Sequence, residues 1–316
     1  MDRGALAMTA DPIRGTPGTS SSCRGIMQFW QSIAMTEIEH LVEVVKTAEE
    51  VGFTGIVVAD HLVTPRDIRS QYPYAPDGEA AWDPAQPIPD AWVLIAALAA
   101  ETTRLRFMPY VYVVPLRDPF NVAKAVSSAA VLSGGRVVLG AGVGWMKEEF
   151  DLTGQSFTDR GRRTDEMIEI IGELMSGEPV AHHGEFYDFE AVQMAPAPER
   201  PVEVRIGGYS GPALRRAARH DGWLGVEHTP AELESIVARL NEERRALGRE
   251  TRPFDFMVAH TPSRVDPGEC ERYRDAGATS VYVSPWWYQG FVAPTLDEKR
   301  RSLEEYAEQY IVPLAS

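Results

Sequence analysis

Asp60 and His61 are an adjacent carboxylate and imidazole that follow the apolar run "GIVV". The run predicts a buried strand, so the pair stands where that strand ends. In one interpretation Asp60 caps the next turn and His61 faces solvent. In the other both side chains face a cavity, with Asp60 as a hydrogen-bond acceptor and His61 as a proton donor, because imidazole exchanges protons near neutral pH. The residues alone leave both interpretations open.

The stretch "VVLGAGVGW" invites comparison with a dinucleotide-binding turn. Gly140, Gly142 and Gly144 give the spacing G-x-G-x-G, and Trp145 stands where the third glycine of a dinucleotide fingerprint would be. That glycine lets a helix pack closely on its strand, and an indole would hold the two apart. The spacing therefore argues against such a fingerprint.

Gly207 and Gly208 join the strand-like run "VEVRI" to a predicted helix. A strand that runs through glycines into a helix presents backbone N–H groups that can bind an anion. The alternative is a tight turn that simply needs glycine. Both remain open at this stage.

The sequence has no pattern typical of a metal site. It lacks H-x-H and H-E-x-x-H, and the adjacent His182 and His183 would point to opposite faces of a predicted hairpin. Cys23 and Cys270 are too few for a disulfide framework. We expect no metal.

Composition limits the partners. The chain has 316 residues and a formal net charge of −15, which disfavours nucleic acid and anionic membranes. The longest apolar run, 91–100, is too short to cross a bilayer, and residues 1–26 lack the apolar core of a signal peptide. We expect a flexible leader over 1–26, or a natural start at Met27, and a cytoplasmic protein that acts on a small molecule.

The elements that must position these residues alternate regularly after Met27. Eight predicted strands are each followed by a helix, with a hairpin inserted at 178–200, before the fifth strand. This alternation predicts one α/β domain over 27–316, a (β/α)8 TIM barrel, whose chemistry lies at the carboxyl ends of the strands. Several aromatic residues also fall near those ends and favour an apolar or aromatic substrate: Phe29, Trp30, Tyr72, Tyr74, Trp82, Tyr110, Tyr112, Trp145, Trp286, Trp287 and Tyr288.

From Met27 onward the chain resembles the luciferase-like monooxygenase superfamily, in its branch of oxidoreductases that depend on the deazaflavin coenzyme F420. The segments that carry the resemblance are "VADH", "VYVVPLRDPFNVAK", "LSGGRVVLGAGVGWMKEEF", "RGRRTDEMIEII", "HHGEFYDF" and "IGGYSGPALRRAARHDGW". Their order and spacing over most of the chain make the resemblance specific.

The resemblance implies that the deazaflavin ring lies in the barrel mouth on a bulge of the third strand. It implies a cis peptide bond between Tyr110 and Val111, with Val113 beyond it. Asp60 matches an acidic residue that contacts the cofactor, and His61 matches an active-site base. Gly142, Val143 and Gly144 would pass beside the ring, and Gly207 and Gly208 would bind its phosphate. Members commonly form dimers, so we expect a homodimer.

The resemblance also has departures. Sugar-phosphate-oxidising members carry a glutamate where this chain has Trp145, and their phosphate-binding lysines have no match. We therefore expect hydride transfer between the C5 atom of F420 and an apolar or aromatic compound. The alternatives are an FMN-dependent monooxygenase that works with a reductase, a cofactor carrier without turnover, and, more remotely, a metal-dependent barrel hydrolase.

Overall fold

A computed structural model describes residues 26–75, 77–80, 83–262 and 268–314. The predicted leader, except residue 26, lies outside the described residues, as do Cys23 and Trp82.

In the described part of the chain, nine strands form one parallel sheet in the order β3-β2-β1-β11-β10-β9-β8-β5-β4. The two ends of this order, β3 and β4, are successive pieces of a single strand, and Phe107 on β3 bridges to Val137 beside β5. The sheet therefore curves into a nearly closed barrel, as predicted. Its strands are β1 Gln28–Ser32, β2 Gly55–Val58, β3 Arg106–Pro109, β4 Tyr112–Val113, β5 Val138–Gly142, β8 Glu203–Gly207, β9 Gly222–Leu224, β10 Asp255–Ala259 and β11 Ser280–Val283.

The third barrel strand departs from its regular path in the middle. We predicted one strand over 105–114, and the structure divides it into β3 and β4. The peptide bond between Tyr110 and Val111, which lies between the two pieces, is cis, which confirms the bond implied by the resemblance. Val113 on β4 pairs with Gly142 on β5, so the bulge lies beside the glycine-rich turn.

Helices cover the outside of the barrel. Asp90 begins α2 by accepting hydrogen bonds from the backbone N–H groups of Trp92 and Val93, as predicted. We did not predict the short helices α4 and α9. The helices are α1 Leu41–Glu50, α2 Ala91–Ala100, α3 Pro119–Leu132, α4 Lys147–Thr153, α5 Arg160–Leu174, α6 Gly211–Ala217, α7 Pro230–Ala246, α8 Glu269–Asp275, α9 Pro285–Tyr288, α10 Leu296–Tyr306 and α11 Val312–Leu314.

The insertion before the fifth barrel strand is an antiparallel hairpin, as predicted. Its strands are β6 Val180–His183 and β7 Asp188–Val192. Glu166 on α5 fixes the hairpin turn, since its carboxylate accepts hydrogen bonds from the backbone N–H groups of residues 185, 186 and 187. The hairpin therefore packs on the outside of the barrel, against α5.

Two layers of the barrel interior lie below the mouth. Trp30, Met108, Leu224 and Met257 are among the side chains of an apolar cluster inside the barrel. Below it, Arg205 is 2% exposed and pairs with Asp255 at 2.6 Å. Both layers fill the barrel, so space for a ligand is left at the carboxyl ends of the strands.

Candidate active site

A cavity of about 650 Å³ opens at the carboxyl ends of the barrel strands. All ten residues that the sequence analysis singled out as catalytic or cofactor-binding line this cavity. They are Asp60, His61, Tyr110, Val111, Val113, Gly142, Val143, Gly144, Gly207 and Gly208. The fold therefore brings the predicted site residues together.

Asp60 fixes the bulge of the third strand. Its carboxylate accepts hydrogen bonds from both terminal nitrogens of Arg117, at 2.7 and 2.8 Å, and from the backbone N–H of Val113 at 2.8 Å. Burial raises the pKa of Asp60, and the Arg117 charge and these hydrogen bonds oppose that rise. We did not predict Arg117 as a site residue, although it lies in the segment "VYVVPLRDPF".

His61 is paired with a second buried carboxylate. Its Nδ1 lies 3.0 Å from Oε2 of Glu149, whose side chain is 2% exposed. The other oxygen of Glu149 accepts the backbone N–H groups of Leu62 at 2.8 Å and Val63 at 3.4 Å. The indole of Trp145 lies edge-on to the imidazole, with ring centroids 6.1 Å apart. The pairing of His61 with a carboxylate is typical of an imidazole held for proton transfer.

Val111 is the centre of the bulge, and glycines surround its side chain. A Cβ atom added to Gly142 would lie 2.2 Å from Cγ2 of Val111, and one added to Gly207 would lie 2.7 Å from Cγ1. Any larger residue at either position would displace Val111. These two glycines thus allow the bulge to fit between β5 and β8. This packing adds to the predicted place of Gly142 beside the ring and to the predicted role of Gly207 at the phosphate.

The turn after β8 has a backbone conformation that favours glycine, and the N–H of Gly208 donates to the backbone oxygen of Leu224 at 3.3 Å. Gly208 has a φ of +105°, which side chains rarely adopt, and the Ser210 hydroxyl accepts the N–H of Ala213 in α6. Arg160 lines the same cavity. Its guanidinium donates to the backbone oxygens of Gly144 at 3.1 Å and Phe157 at 2.8 Å.

Arg160 is the one lysine or arginine among the described residues that line the cavity. Its guanidinium carbon lies 3.7 Å from the centroid of the Phe157 ring, and burial lowers its pKa. The segment "RGRRTDEMIEII" carried part of the resemblance, but nothing in the sequence distinguished Arg160 from its neighbouring arginines.

Aromatic rings form a large part of the cavity wall. Tyr72 contacts both Trp145 and Tyr74, with ring centroids 5.1 and 5.3 Å apart. Tyr209, from the glycine turn, donates its hydroxyl to the backbone oxygen of Pro73 at 3.0 Å. Partial burial raises the pKa of Tyr74 to about 12, above an ordinary value at which a phenol is already neutral at physiological pH.

We define the strap as the described part of residues 61–90, which leads from β2 to α2. Glu148 at the start of α4 fixes it by accepting the backbone N–H groups of Arg69 at 2.8 Å and Ser70 at 3.0 Å. The Ser70 hydroxyl donates to the same carboxylate at 2.7 Å. Because Tyr72 and Tyr74 belong to the strap, α4 controls how one wall of the cavity is placed.

Part of the aromatic set that the sequence places near the strand ends lines the cavity. Tyr72, Tyr74, Tyr110 and Trp145 line the cavity, together with Tyr209 and Tyr282, which the prediction omitted. Six of the predicted aromatic residues do not line it. Trp287 and Tyr288 belong to α9, and the other four are buried, with at most 4% exposed. These are Phe29, Trp30, Tyr112 and Trp286.

Among the residues that the structure describes, no group of three or more His, Cys, Asp and Glu side chains is placed to hold a metal ion. No helix in the same ranges is long and apolar enough to cross a membrane.

The fold and this site define a class. The sequence matches the family of luciferase-like monooxygenases over residues 11–310, so the chain belongs to this family. It is 39% identical over 288 residues to an uncharacterized protein of Mycobacterium tuberculosis, a match that covers 90% of this chain and 99% of the relative. It is 28% identical over 239 residues to an F420-dependent glucose-6-phosphate dehydrogenase of Gordonia bronchialis, over 73% of this chain and 66% of the relative.

Solved structures share the fold. The monooxygenase RslO1 of Streptomyces bottropensis superimposes with a TM-score of 0.73 at 18% identity, over 92% of this chain and 100% of that one. An F420-dependent secondary alcohol dehydrogenase, solved with an F420-acetone adduct, has a TM-score of 0.72 at 16% identity, over 92% and 99%. Together with the family match, these relatives identify an oxidoreductase or monooxygenase of the luciferase-like family.

Proposed function

We propose that the protein is an F420-dependent oxidoreductase that transfers a hydride between the C5 atom of the deazaflavin and an apolar or aromatic organic substrate. The observation that carries the proposal is the single cavity in which the ten expected residues meet. Relatives named as F420-dependent enzymes support the choice of cofactor.

The cavity fits a planar ring with an anionic chain. Arg160 offers positive charge, and the turn at Gly207 and Gly208 brings backbone without side chains close to the ligand space. Val111, held between Gly142 and Gly207, offers an apolar surface in the middle. The cavity therefore offers groups for both the ring and the anionic chain of such a cofactor.

The protein's own residues would divide the work. Gly208 and Arg160 would bind the phosphate, and Val111 would support the ring, which accepts or supplies the hydride when bound. His61 would exchange a proton with the substrate oxygen, and the strap tyrosines would exclude water from the reacting atoms. Asp60, held by Arg117, would keep the bulge in place below the ring.

The cavity favours a neutral substrate. Its aromatic side contains Tyr72, Tyr74 and Trp145, and the phenol of Tyr74 stays neutral. Arg160 would already bind the phosphate of the cofactor, so no second cation among the described lining residues awaits an anionic substrate. Ketones, enones and secondary alcohols with apolar substituents fit this description better than sugar phosphates do.

A panel of such carbonyl compounds and alcohols tests the proposal. Each is mixed with the protein and with reduced or oxidised F420, and the deazaflavin absorbance is followed. We expect substrate-dependent bleaching or recovery with at least one neutral apolar compound. Binding of F420 without turnover of any member would instead favour the cofactor carrier.

An FMN-dependent monooxygenase that works with a separate reductase is the second candidate. It is favoured by the similarity to RslO1, which is named a monooxygenase, and the same cavity has room for a flavin. Oxygen consumption with reduced FMN, in the absence of any F420 reaction, would support it.

A further inference from the structure

The two oxygens of the Glu149 carboxylate face different kinds of partner. Oε1 accepts two backbone N–H groups, from Leu62 and Val63. Oε2 lies 3.0 Å from Nδ1 of His61, 88 residues away in the chain. A carboxylate in its ionised form can only accept hydrogen bonds, and it would then take its hydrogen bond from Nδ1–H of the imidazole.

We propose that Glu149 is a positioning residue that keeps neutral His61 in the tautomer protonated at Nδ1. Nε2 is then the nitrogen that exchanges a proton with the substrate in the cavity. The inference rests on the proposed function for the reaction itself, but the tautomer is a property of the protein alone. Nothing in the spacing of the sequence marks Glu149 for this role.

The pair serves proton transfer in both directions. When a carbonyl is reduced, Nε2 of protonated His61 would give its proton to the substrate oxygen, and a bound reduced cofactor would supply the hydride to the carbon. Solvent would then return a proton to His61. When an alcohol is oxidised, Nε2 would take the hydroxyl proton, and the hydride would pass to a bound oxidised cofactor. In each case Nδ1 keeps its proton and its bond to Glu149.

The substitution Glu149→Gln separates positioning from packing, because glutamine has the same shape. Its single amide oxygen must stay on the N–H groups of Leu62 and Val63, since turning the amide would place N–H against N–H. The amide NH2 then faces Nδ1 of His61 and donates to it. We therefore expect the neutral imidazole to move its proton to Nε2, where it blocks the exchange of a proton with the substrate.

The first readout is the histidine tautomer, observed by long-range proton–nitrogen NMR at a pH well above the ordinary pKa of histidine. The His61 signal is assigned by its absence in His61→Gln. We expect the Nδ1–H pattern in the wild type and the Nε2–H pattern in Glu149→Gln. Asp151→Asn, an exposed change on the same helix, is the matched control and should keep the wild-type pattern.

The second readout is steady-state kinetics. Glu149→Gln should lower kcat by about 100-fold or more, with KM and cofactor affinity little changed. An Nε2–H tautomer in the wild type would overturn the proposal without any variant, and so would an inverted tautomer with unchanged kcat. If the wild type turns over no substrate with F420, the proposed function fails, and the NMR result still decides the tautomer.

Discussion

Individual carboxylates around the cavity have different partners and therefore different tasks. Asp60 binds Arg117 and the N–H of Val113, Glu149 binds His61, and Glu148 binds the strap. Each carboxylate is fixed by hydrogen bonds from groups in another segment of the chain. In our proposal the proton transfer with the substrate falls to His61, which lines the cavity.

Replacing His61 with alanine tests this assignment. We expect the single-turnover rate of the chemical step to fall by about 100-fold or more, because a positioned proton donor contributes on that scale. The dissociation constant of the cofactor should change little. A single-turnover rate equal to that of the wild type would remove His61 from the chemistry.

At the residue scale, the site residues at strand ends could be predicted from the sequence, and the residues that contact them from distant segments could not. Asp60 and His61 follow directly on an apolar run, so their place could be predicted. Glu149 and Arg117 could not, because their contacts join segments that lie 88 and 57 residues apart. Such pairings depend on how the loops fold over the barrel.

The third strand and its neighbours form the element that supports the cofactor in our account. Gly142→Ala would place a methyl carbon 2.2 Å from Cγ2 of Val111. We expect weaker cofactor binding and a loss of about 1–3 kcal/mol of unfolding free energy, as for other overpacked sites. Equilibrium titration and thermal unfolding measure the two effects.

Two further variants complete this test. Gly172→Ala in α5 has no atom within 4 Å of the added methyl and should leave cofactor binding unchanged. Adding Val111→Ala to Gly142→Ala frees the space and should restore part of the lost stability. If the double variant is no more stable than Gly142→Ala, close packing on Val111 is not what requires glycine here.

Because α4 holds the strap through the Glu148 carboxylate, we expect the strap to loosen at low pH. Burial raises the pKa of Glu148, but the Ser70 hydroxyl and the backbone N–H groups outweigh it and bring the pKa to about 2. A carboxyl group whose pKa is lowered in the folded state stabilises the fold at pH values above its ordinary pKa of 4.5. That stabilisation is lost as the pH falls towards 2. Proteolytic cleavage within 61–90 should therefore accelerate over this interval, measured with an acid-stable protease.

At neutral pH, Glu148→Gln should reproduce this loosening. Loss of hydrogen bonds to a charged group corresponds to roughly tenfold faster cleavage of the strap. Asp151→Asn, on the same helix, should be cleaved like the wild type. Equal cleavage of Glu148→Gln and wild type at neutral pH would show that Glu148 does not hold the strap.

Most helices and strands could be predicted from the regular spacing of their apolar residues. The elements that could not be predicted in this way have physical reasons. The long helices and buried strands were predicted because their apolar residues recur over many positions. Helix α4, seven residues long, is too short to show a period, and its first turn is acidic. The spacing of apolar residues does not show the interruption of the third strand either, and only the resemblance to the family implied it.

For the molecule as a whole, we predict a homodimer through α2 and α3. The segment forming α2 is apolar on every side, and Val93 remains 69% exposed. Leu132 at the end of the adjacent α3 is 76% exposed. Val93→Glu with Leu132→Glu should shift the mass measured by light scattering to that of a monomer, and Leu247→Glu, at the end of α7, should not. A wild-type monomer at micromolar concentration would contradict the prediction.

The central claim is that the cavity is built for a deazaflavin. Titrating the cofactor-free protein with F420 and, separately, with FMN, while following the fluorescence of each cofactor, tests it most directly. We predict that F420 binds at least tenfold more tightly than FMN, which corresponds to about 1.4 kcal/mol. Tight binding of FMN together with negligible binding of F420 would contradict the claim.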